Sequence, residues 1–444
     1  MMKTVNSFYN KLSVLLMCLL LIGFNSCSDD NEVTETKAEA TTFSPVTGGP
    51  NTAITLKGIS FGTDIENVKV TINGKEALVK SVTNEEIVAE VSKGTSSGLV
   101  RVIIGERPNA QILIYDVEFE YISNQIVSTY LGSVSGENDG DFGIATLCKP
   151  RFLVWGKDDG LYIVEDGASS ATDFPSIRVA KNNNVTTILN VTETTLAQRI
   201  RAIDFSLDSN TMYIANDNNA SGTMGFGTMT KSGSTYANLI GLWDQSGITS
   251  TKVHPETGAV FIAYHTGAWI YQYEGGAFIP KVQLPSNATG EFADKGNVNS
   301  IVFDKEGTTA YFVSRAKHLI YKANYDLTSG EFNNIEIFAG SYGVSGYENG
   351  MGTATKFNTP CQADIDEDGN LYVADRSNNC IRMITPEGEV STFAGKGSAG
   401  MVNGIASQAE FSNPEGCQFG PDGALYVADY SNHLIRKIEE KAGE

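Results

Sequence analysis

Three aspartates at alternate positions form the most metal-like motif in this chain of 444 residues. Asp364, Asp366 and Asp368 precede a glycine, and Asp375 is the twelfth residue counted from Asp364. Oxygen ligands around a central glycine suit calcium. A helix-flanked calcium loop, however, ends in glutamate, and Tyr372 stands where a strand-flanked loop would place aspartate. We therefore expect a solvated hairpin turn and no cofactor here, with calcium as the alternative.

The four histidines do not form a recognisable catalytic or metal-binding motif. His318 and His433 each follow an aromatic strand residue by seven positions, so we expect them to be part of the scaffold. His254 and His265 have no such counterpart and could face a central channel, where a metal would need several ligands. The sequence contains no nucleophile elbow, no His-Glu-x-x-His and no P-loop, so we assign no catalytic residue.

Three residues in predicted loops are candidates for ligand contact. Arg376 and Tyr430 occupy equivalent positions in two nearly identical stretches, and Tyr347 lies in a loop between repeats. Aromatic faces stack on sugar rings, and arginine pairs with carboxylates. Because repeat proteins vary their binding loops and keep their strands constant, we predict that these three residues bind ligand. The alternative is that they are ordinary surface residues.

These loop residues are positioned by a repeat that occupies most of the chain. The stretch 371–382 recurs at 425–436 with an offset of 54 residues, and weaker copies start 48 to 61 residues apart. Each copy has an aromatic anchor: Tyr162, Tyr213, Phe261, Tyr311, Tyr372 and Tyr426. A unit of this length fits four strands with their turns, and a ring of such sheets covers all sheet faces. The sequence therefore predicts a six-bladed β-propeller over residues 126–440.

An acidic and a basic residue recur in equivalent places of the last two repeats. Asp375 and Asp429 begin the loops that connect strands, and Arg382 and Arg436 follow seven residues later. Such a pair would hold each blade through charge-assisted hydrogen bonds. We predict this structural role rather than acid–base catalysis, because catalytic residues seldom recur blade by blade.

The ends of the ring are predicted to join. The final repeat lacks a fourth strand, while residues 126–132, which precede the first repeat, are similar to the strand around Thr392. We expect residues 126–132 to complete the final blade and so to cover two exposed sheet edges.

A different sequence pattern precedes the repeats, over residues 43–122. Short alternating strands such as 68–72 and 100–104 are separated by turns, among them the hairpin signal Asn73-Gly74. About 80 residues with this pattern are typical of a small β-sandwich. The whole chain is therefore predicted to be all-β, with a sandwich followed by a propeller.

The N-terminus has the features of a secretion signal. Lys3 and Lys11 precede an apolar run over 12–24, which is too short to span a bilayer, so residues 1–26 are predicted to be a signal peptide. Ser26 followed by Cys27 resembles a bacterial lipobox, which implies lipidation of Cys27; the alternative is an ordinary signal peptide. The polar residues 27–42 are predicted to form a flexible tether.

Charge and cysteine usage exclude several classes of protein. With 52 acidic and 32 basic residues the formal net charge is -20, which argues against a nucleic-acid partner. No Cys-x-x-Cys pair supports a zinc or redox site. Four cysteines remain: Cys148, Cys361, Cys380 and Cys417. We expect them to be small buried residues, and the alternative is an extracellular disulfide between two of them.

Two family resemblances extend this interpretation. Gly48-Gly49, Phe61-Gly62 and Ile72-Asn73-Gly74 resemble the IPT/TIG family of immunoglobulin-like domains, which implies a spacer or interaction module. Asn432-His433-Leu434 and the glycine-rich stretch 395–414 are similar to NHL repeats. With the lipobox, the chain resembles the IPT/TIG–NHL lipoproteins associated with nutrient uptake in Bacteroidetes. The resemblance implies a lipid-anchored, surface-exposed protein of the outer membrane.

Three functions are compatible with these observations. The first is a non-catalytic binding protein that captures a glycan or other nutrient through propeller loops. The second is a propeller hydrolase or lyase with a channel metal. The third is a protein–protein scaffold that docks an outer-membrane transporter complex. We favour the first, because no catalytic motif is present and the variable residues lie in loops.

Overall fold

The computed structural model describes residues 37–106, 110–167, 175–190, 196–217, 222–244, 247–264, 268–285 and 298–442. Within these ranges the chain is built from β-strands, with short 3-10 helices at Ile65–Asn67, Gly352–Ala354, Arg376–Asn378 and Tyr430–Asn432. The predicted signal peptide, Cys27 and His265 lie outside the described residues. Among the described residues, no helix has the length and apolar character that crossing a membrane requires.

Eight strands form the N-terminal domain, and they fold over one core. They are β1 (Glu39–Ser44), β2 (Thr47–Gly48), β3 (Ala53–Ile59), β4 (Val68–Ile72), β5 (Lys75–Val82), β6 (Glu86–Glu90), β7 (Gly98–Ile104) and β8 (Gln111–Tyr121). Strand β5 pairs with both β4 and β6, and residues from all parts of the domain bury one apolar cluster that includes Leu56, Phe61 and Phe119. The predicted sandwich is confirmed. Its first strand occupies residues 39–44, so 39–42, expected to be tether, are already strand.

Six further sheets form the rest of the chain. Strand β9 (Ser123–Leu131) comes first along the chain but belongs to the last sheet. The first three sheets contain β10 (Gly140–Asp141), β11 (Pro150–Trp155), β12 (Leu161–Glu165), β13 (Ser176–Lys181), β14 (Asn184–Asn190), β15 (Ile200–Phe205), β16 (Thr211–Asn216), β17 (Phe226–Ser232), β18 (Thr235–Trp243), β19 (Ile248–Val253), β20 (Val260–Tyr264), β21 (Trp269–Glu274) and β22 (Ala277–Gln283).

The last three sheets contain β23 (Val298–Phe303), β24 (Thr309–Ser314), β25 (Leu319–Asp326), β26 (Glu331–Ala339), β27 (Gly350–Met351), β28 (Pro360–Ile365), β29 (Leu371–Asp375), β30 (Cys380–Ile384), β31 (Glu389–Ala394), β32 (Gly404–Ile405), β33 (Pro414–Phe419), β34 (Leu425–Asp429) and β35 (Leu434–Ala442). The inner strands β11, β15, β19, β23, β28 and β33 each contact the next, and β33 returns to β11. The sheets therefore close into the predicted six-bladed propeller.

The ring closes with a strand from before the first blade. Strand β9 pairs antiparallel with β35, so that Val127 lies opposite Ile438 and Thr129 lies opposite Arg436. Val127 is buried among residues of the last two blades. This confirms the expectation that residues 126–132 complete the final blade.

The N-terminal domain sits against the end of the propeller where β9 begins and β35 ends. Only Ile122 separates β8 from β9. The phenol of Tyr121 donates to the Glu440 carboxylate at 2.7 Å, and the Gly94 N–H donates to the same carboxylate at 2.9 Å. Lys93 Nζ donates to the carbonyl of Asp422, in the turn between β33 and β34.

The predicted acid–base pairs are buried ion pairs that tie each blade to the loop before it. Asp375 and Arg382 are fully buried at 3.0 Å, and Asp429 and Arg436 are fully buried at 2.8 Å. Arg436 also donates to the carbonyls of Glu410 and Val402 in the preceding loop. Their structural role is confirmed, because each arginine is paired with its aspartate and bonded to the preceding loop inside the scaffold.

The first blade has a version of this pair that differs in spacing. Glu165 and Arg178 are fully buried at 3.4 Å, although 13 residues separate them. Arg178 donates to the carbonyls of Thr146 and Asn138, as its counterparts do in the other blades. The geometry is thus conserved where the sequence spacing is not.

The four cysteines of the described residues are buried and are not joined in disulfides, as small core residues would be: Cys148, Cys361, Cys380 and Cys417. Burial raises the pKa of the Cys361 thiol to about 12, so it stays a neutral thiol at physiological pH. The expectation of small buried residues is confirmed.

Candidate functional site

The inner strand of every blade begins with an irregularity in its pairing. In β11 the register shifts between Pro150 and Phe152, which leaves Arg151 without a partner across the sheet. The same shift occurs around Arg201 in β15 and around Glu415 in β33. Bulges of this kind redirect a side chain and are common beside functional sites. Equivalent shifts in β19, β23 and β28 fall at Thr249, Asn299 and Cys361.

A second series of residues lies at the same end of the ring. Each follows the second strand of its blade and stands four positions after the aromatic anchor. Since the second strand runs antiparallel to the inner strand, its end lies beside the bulge. We call the charged and aromatic members of the two series the mouth: Arg151, Asp166, Arg201, Asp217, Arg315, Arg376, Glu415 and Tyr430.

Three guanidinium groups surround the carboxylate of Glu415. Arg376 Nε lies 2.6 Å from Oε1, Arg315 Nη2 lies 3.5 Å from Oε1 and Arg151 Nη2 lies 3.3 Å from Oε2. Glu415 and Arg151 are almost fully buried, whereas Arg315 and Arg376 each keep about a quarter of the side chain exposed, at 26% and 24%. The exposed pair therefore forms the solvent side of this cluster.

Asp166 organises the other half of the mouth. Its carboxylate accepts from Arg151 Nη1 at 2.6 Å and from the Tyr430 phenol at 3.1 Å, and it lies 3.5 Å from Arg201 Nη1. Arg201 Nε donates to Asp217 at 3.2 Å. The Arg376 guanidinium lies 5.6 Å from the centre of the Tyr430 ring, a cation–π arrangement.

The mouth is locally electropositive. Burial and repulsion by Arg151 lower the pKa of Arg201 to about 10. Burial alone would raise the pKa of Asp166, but Arg151 and Arg201 outweigh it and hold that pKa below its ordinary value. The mouth as defined has four arginines and three carboxylates, in a chain whose net charge is -20.

The channel below the mouth is closed by its own side chains. The Gln362 amide accepts from the Leu153 N–H at 2.9 Å and donates to the Leu153 carbonyl at 2.7 Å, which joins blades five and one. Lys252 Nζ lies 3.4 Å from Asp204. One cavity between the described inner strands measures about 50 Å³. That is room for one or a few water molecules and none for a sugar.

The three aspartates of the metal-like motif do not converge. Asp364 is half-buried in the channel wall, where its carboxylate accepts from the Phe419 N–H at 2.8 Å. Asp366 lies in the turn between β28 and β29, and its two oxygens accept from Asn370 and from the Tyr372 phenol. Asp368 is an exposed turn residue. Among the described residues, no three His, Cys, Asp or Glu side chains are grouped to hold a metal.

The three predicted ligand residues fall in two places. Arg376 and Tyr430 meet in the mouth. Tyr347 lies instead over the third strand of its blade, with its ring 4.9 Å from the Arg382 guanidinium and its hydroxyl 2.6 Å from Thr392 Oγ1. The other charged members of the mouth were missed, although aligning every repeat on its anchor places Asp166, Asp217 and Arg315 level with Arg376.

His254 is not a channel residue. It is fully buried in the turn after β19, at the end of the ring opposite the mouth. Its Nε2 bonds to the Gly307 carbonyl at 2.8 Å, and its Nδ1 accepts from the N–H groups of Glu256 and Thr257. Its ring packs on Phe303 and Tyr325. The expectation that it could face the channel is wrong, because the turn directs it into the neighbouring blade.

His318 and His433 are scaffold residues that join neighbouring blades. Both have a left-handed backbone, and their Nδ1 atoms accept from the N–H of Thr359 at 3.0 Å and of Lys149 at 3.1 Å. Asn379 occupies the equivalent place in blade five, where its side-chain oxygen accepts from the Asn413 N–H. Burial lowers the pKa of both histidines. The neutral form that results suits their role, since a protonated Nδ1 could not accept these bonds.

The histidines are expected to destabilise the fold as the pH drops below about 6.5, the ordinary pKa of histidine. The unfolded chain binds protons there that folded His254, His318 and His433 do not, so each lowers the free energy of unfolding by up to about 1.4 kcal/mol per pH unit until its lowered pKa is reached. Glu165 and Asp375, whose pKa values burial raises to about 7 and about 6, act in the opposite direction, so the test is a comparison with a variant. Urea unfolding at pH 7.5, 6.5 and 5.5 measures the free energy of unfolding of the original chain and of the double variant His318→Asn, His433→Asn, which keeps both acceptors. The variant should lose less stability between pH 6.5 and 5.5, and an unchanged slope would contradict the assignment.

Comparison with known proteins agrees with both halves of the architecture. The IPT/TIG domain family matches residues 38–121. The chain is 32% identical over 146 residues to NHL repeat-containing protein 2 of Bos taurus, which covers 31% of this chain and 18% of that protein. The chain spans 10% to 18% of the length of the first curated relatives it matches. The resemblance to IPT/TIG domains and NHL repeats is confirmed.

Two solved structures match almost the whole chain. An auxiliary nutrient binding protein from Bacteroides thetaiotaomicron has a TM-score of 0.64 at 23% identity, over 91% of this chain and 98% of that one. A putative phosphatase from the same organism has a TM-score of 0.64 at 25% identity, over 92% and 98%. These likenesses establish a shared arrangement of sandwich and six-bladed propeller.

Proposed function

We propose that this chain is a surface-anchored, non-catalytic binding lipoprotein that captures a glycan or other nutrient at the mouth of its propeller. The observation that carries the proposal is that the residue types at the mouth differ from blade to blade, whereas the ion pairs behind it repeat. Arg376 and Tyr430 occupy equivalent places and differ, while Asp375 and Asp429 are the same. Repeat proteins keep the residues that hold their scaffold and vary those on the face that meets a ligand, so this difference favours a ligand site at the mouth.

The similarity to an auxiliary nutrient binding protein supports the same role. In this proposal, lipid on Cys27 attaches the chain to the outer membrane and exposes it at the cell surface. The IPT/TIG domain is the spacer, and the propeller presents the ligand face. An outer-membrane transporter complex would receive the captured nutrient.

The chemistry of the mouth favours binding over proton transfer. Burial and the neighbouring Asp166 raise the pKa of Tyr430, so its phenol stays protonated and donates a hydrogen bond. Arg151 and Arg201 hold Asp166 ionised, and arginine itself does not release a proton at physiological pH. Neither Asp166 nor Tyr430 is therefore poised near neutral pH as a general base requires.

Replacing Tyr430 with alanine is expected to weaken glycan binding by about tenfold, because it removes a stacking surface worth roughly 1–1.5 kcal/mol and loosens Arg376. Isothermal titration against the best ligand of a glycan panel measures the loss. Tyr213→Ala is the matched control, because it removes a half-buried tyrosine from the middle of β16, away from the mouth.

The same panel separates the alternatives. Retention of an intact glycan that depends on Tyr430 supports the proposal. Product release that a chelator stops would replace it with a metal-dependent hydrolase or lyase. Recovery of a transporter from cells, with no glycan retained in vitro, would replace it with the scaffold.

A further inference from the structure

The mouth has more cationic groups than its own carboxylates neutralise. Arg199, which lies 3.7 Å from Asp217, adds a fifth guanidinium to those of Arg151, Arg201, Arg315 and Arg376. The described carboxylates at the mouth are three: Asp166, Asp217 and Glu415. The chain as a whole has the opposite balance, with 52 acidic and 32 basic residues. The arginines are therefore concentrated at one end of an otherwise acidic molecule.

Glu415 shows how the mouth holds an anion. One buried carboxylate accepts from Arg376 Nε and forms ion pairs with Arg151 and Arg315, so a single negative charge faces three guanidinium groups. Arg315 and Arg376 approach the same oxygen, Oε1, so their guanidinium groups lie side by side. Both side chains are about a quarter exposed.

Arg376 is oriented to receive a second anion. It uses Nε for Glu415, and among the described residues its Nη1 and Nη2 have no hydrogen-bond partner. The Tyr430 ring lies within cation–π distance of the guanidinium, with 5.6 Å from the guanidinium carbon to the ring centre, and this contact restricts the Arg376 side chain. The planar fork formed by Nη1 and Nη2 fits two oxygens of one acidic group.

We propose that the mouth binds the anionic group of an acidic glycan, a carboxylate or a sulfate, through the exposed guanidinium groups of Arg315 and Arg376. This deepens the proposed function and rests on it. The buried Arg151–Asp166 and Arg151–Glu415 pairs keep the two exposed arginines in place, and Tyr430 provides the face on which the acidic sugar ring lies. The net charge of the whole chain repels anions at long range, so recognition depends on these short contacts.

Three oligosaccharides of equal length distinguish the sources of the anionic group: an oligogalacturonide with carboxylates, a sulfated galactan oligosaccharide and a neutral galactan oligosaccharide. Titration of the full mature chain is carried out at 50 and 500 mM NaCl. We expect one acidic probe to bind at least about tenfold more tightly than the neutral one, since hydrogen bonds to charged groups are the stronger class. Its affinity should fall at the higher salt concentration.

Arg376→Gln and, separately, Arg315→Gln should each weaken the acidic probe by about tenfold or more, a larger loss than either variant shows for the neutral probe. Both side chains are partly exposed, so either variant keeps the test valid if the other fails to fold. Arg376→Lys keeps the charge without the fork and should restore only part of the affinity. Arg101→Gln, in β7 of the N-terminal domain, is the matched control.

The outcomes separate the inference from the proposed function. Tightest binding of the neutral probe, insensitive to salt and to both arginine variants, overturns the inference and leaves glycan binding intact. An equal loss in the Arg101 variant also overturns it. Absence of binding by all three probes and by the wider panel overturns both.

Discussion

Replacing Asp429 with alanine is expected to lower the free energy of unfolding by about 3–5 kcal/mol. The change leaves the Arg436 guanidinium fully buried without its counter-ion, while its carbonyl partners carry only partial charge. It also removes the acceptors for the Ser412 N–H and for the Asn432 amide. Guanidinium chloride unfolding followed by circular dichroism measures the loss.

Two comparisons make this result specific. Glu76→Ala removes the partner of Lys69, an ion pair of 3.8 Å in which both side chains are more than half exposed, and it should cost less than about 1 kcal/mol. Adding Arg436→Met to Asp429→Ala should recover much of the loss, since the uncompensated charge is removed. Equal effects of Asp429→Ala and Glu76→Ala would show that burial does not govern the pair.

Replacing Val127 with aspartate should open the ring. Val127 is almost fully buried between the last two blades and lies opposite Ile438 in the closing strand pair. A carboxylate there has no described cation as a partner, so it either remains charged at a cost of several kcal/mol or takes up a proton. We expect the urea midpoint to fall and trypsin to cleave the final blade first.

Thr129→Asp is the control for this prediction. Thr129 lies in the same strand, two residues further along, and its side chain is exposed. An aspartate there stays in water, so the change should be within about 0.5 kcal/mol of the original stability. If both variants unfold alike, the strand tolerates no change at all and burial of Val127 is not the cause.

The propeller could be predicted from the sequence because the residues that build its scaffold recur at regular spacing. The aromatic anchors mark the second strand of each blade, and the pairs Asp375–Arg382 and Asp429–Arg436 recur at fixed spacing. The closing strand was predictable for the same reason, since residues 126–132 carry the pattern of a blade's last strand. The pair Glu165–Arg178 was not predicted, because its members are 13 positions apart instead of seven.

The site was only half predictable. Arg376 and Tyr430 stand out because two near-identical repeats differ there, but Arg151 and Glu415 sit in strands. A bulge turns them toward the axis, and no spacing in the sequence marks that shift. Their meeting also depends on ring closure, which brings blade six beside blade one. His254 was misplaced for a similar reason, because its turn points into a neighbouring blade that periodicity does not specify.

The attachment of the N-terminal domain sets the polarity of the molecule. Its contacts with Asp422 and Glu440 lie at the end of the ring where the final strand finishes, opposite the bulges of the inner strands. With one residue between β8 and β9, the two domains have little freedom to swivel. A surface that holds the chain by its N-terminal domain would therefore face the end of the ring opposite the mouth, and the arginines of the mouth would face away from that surface.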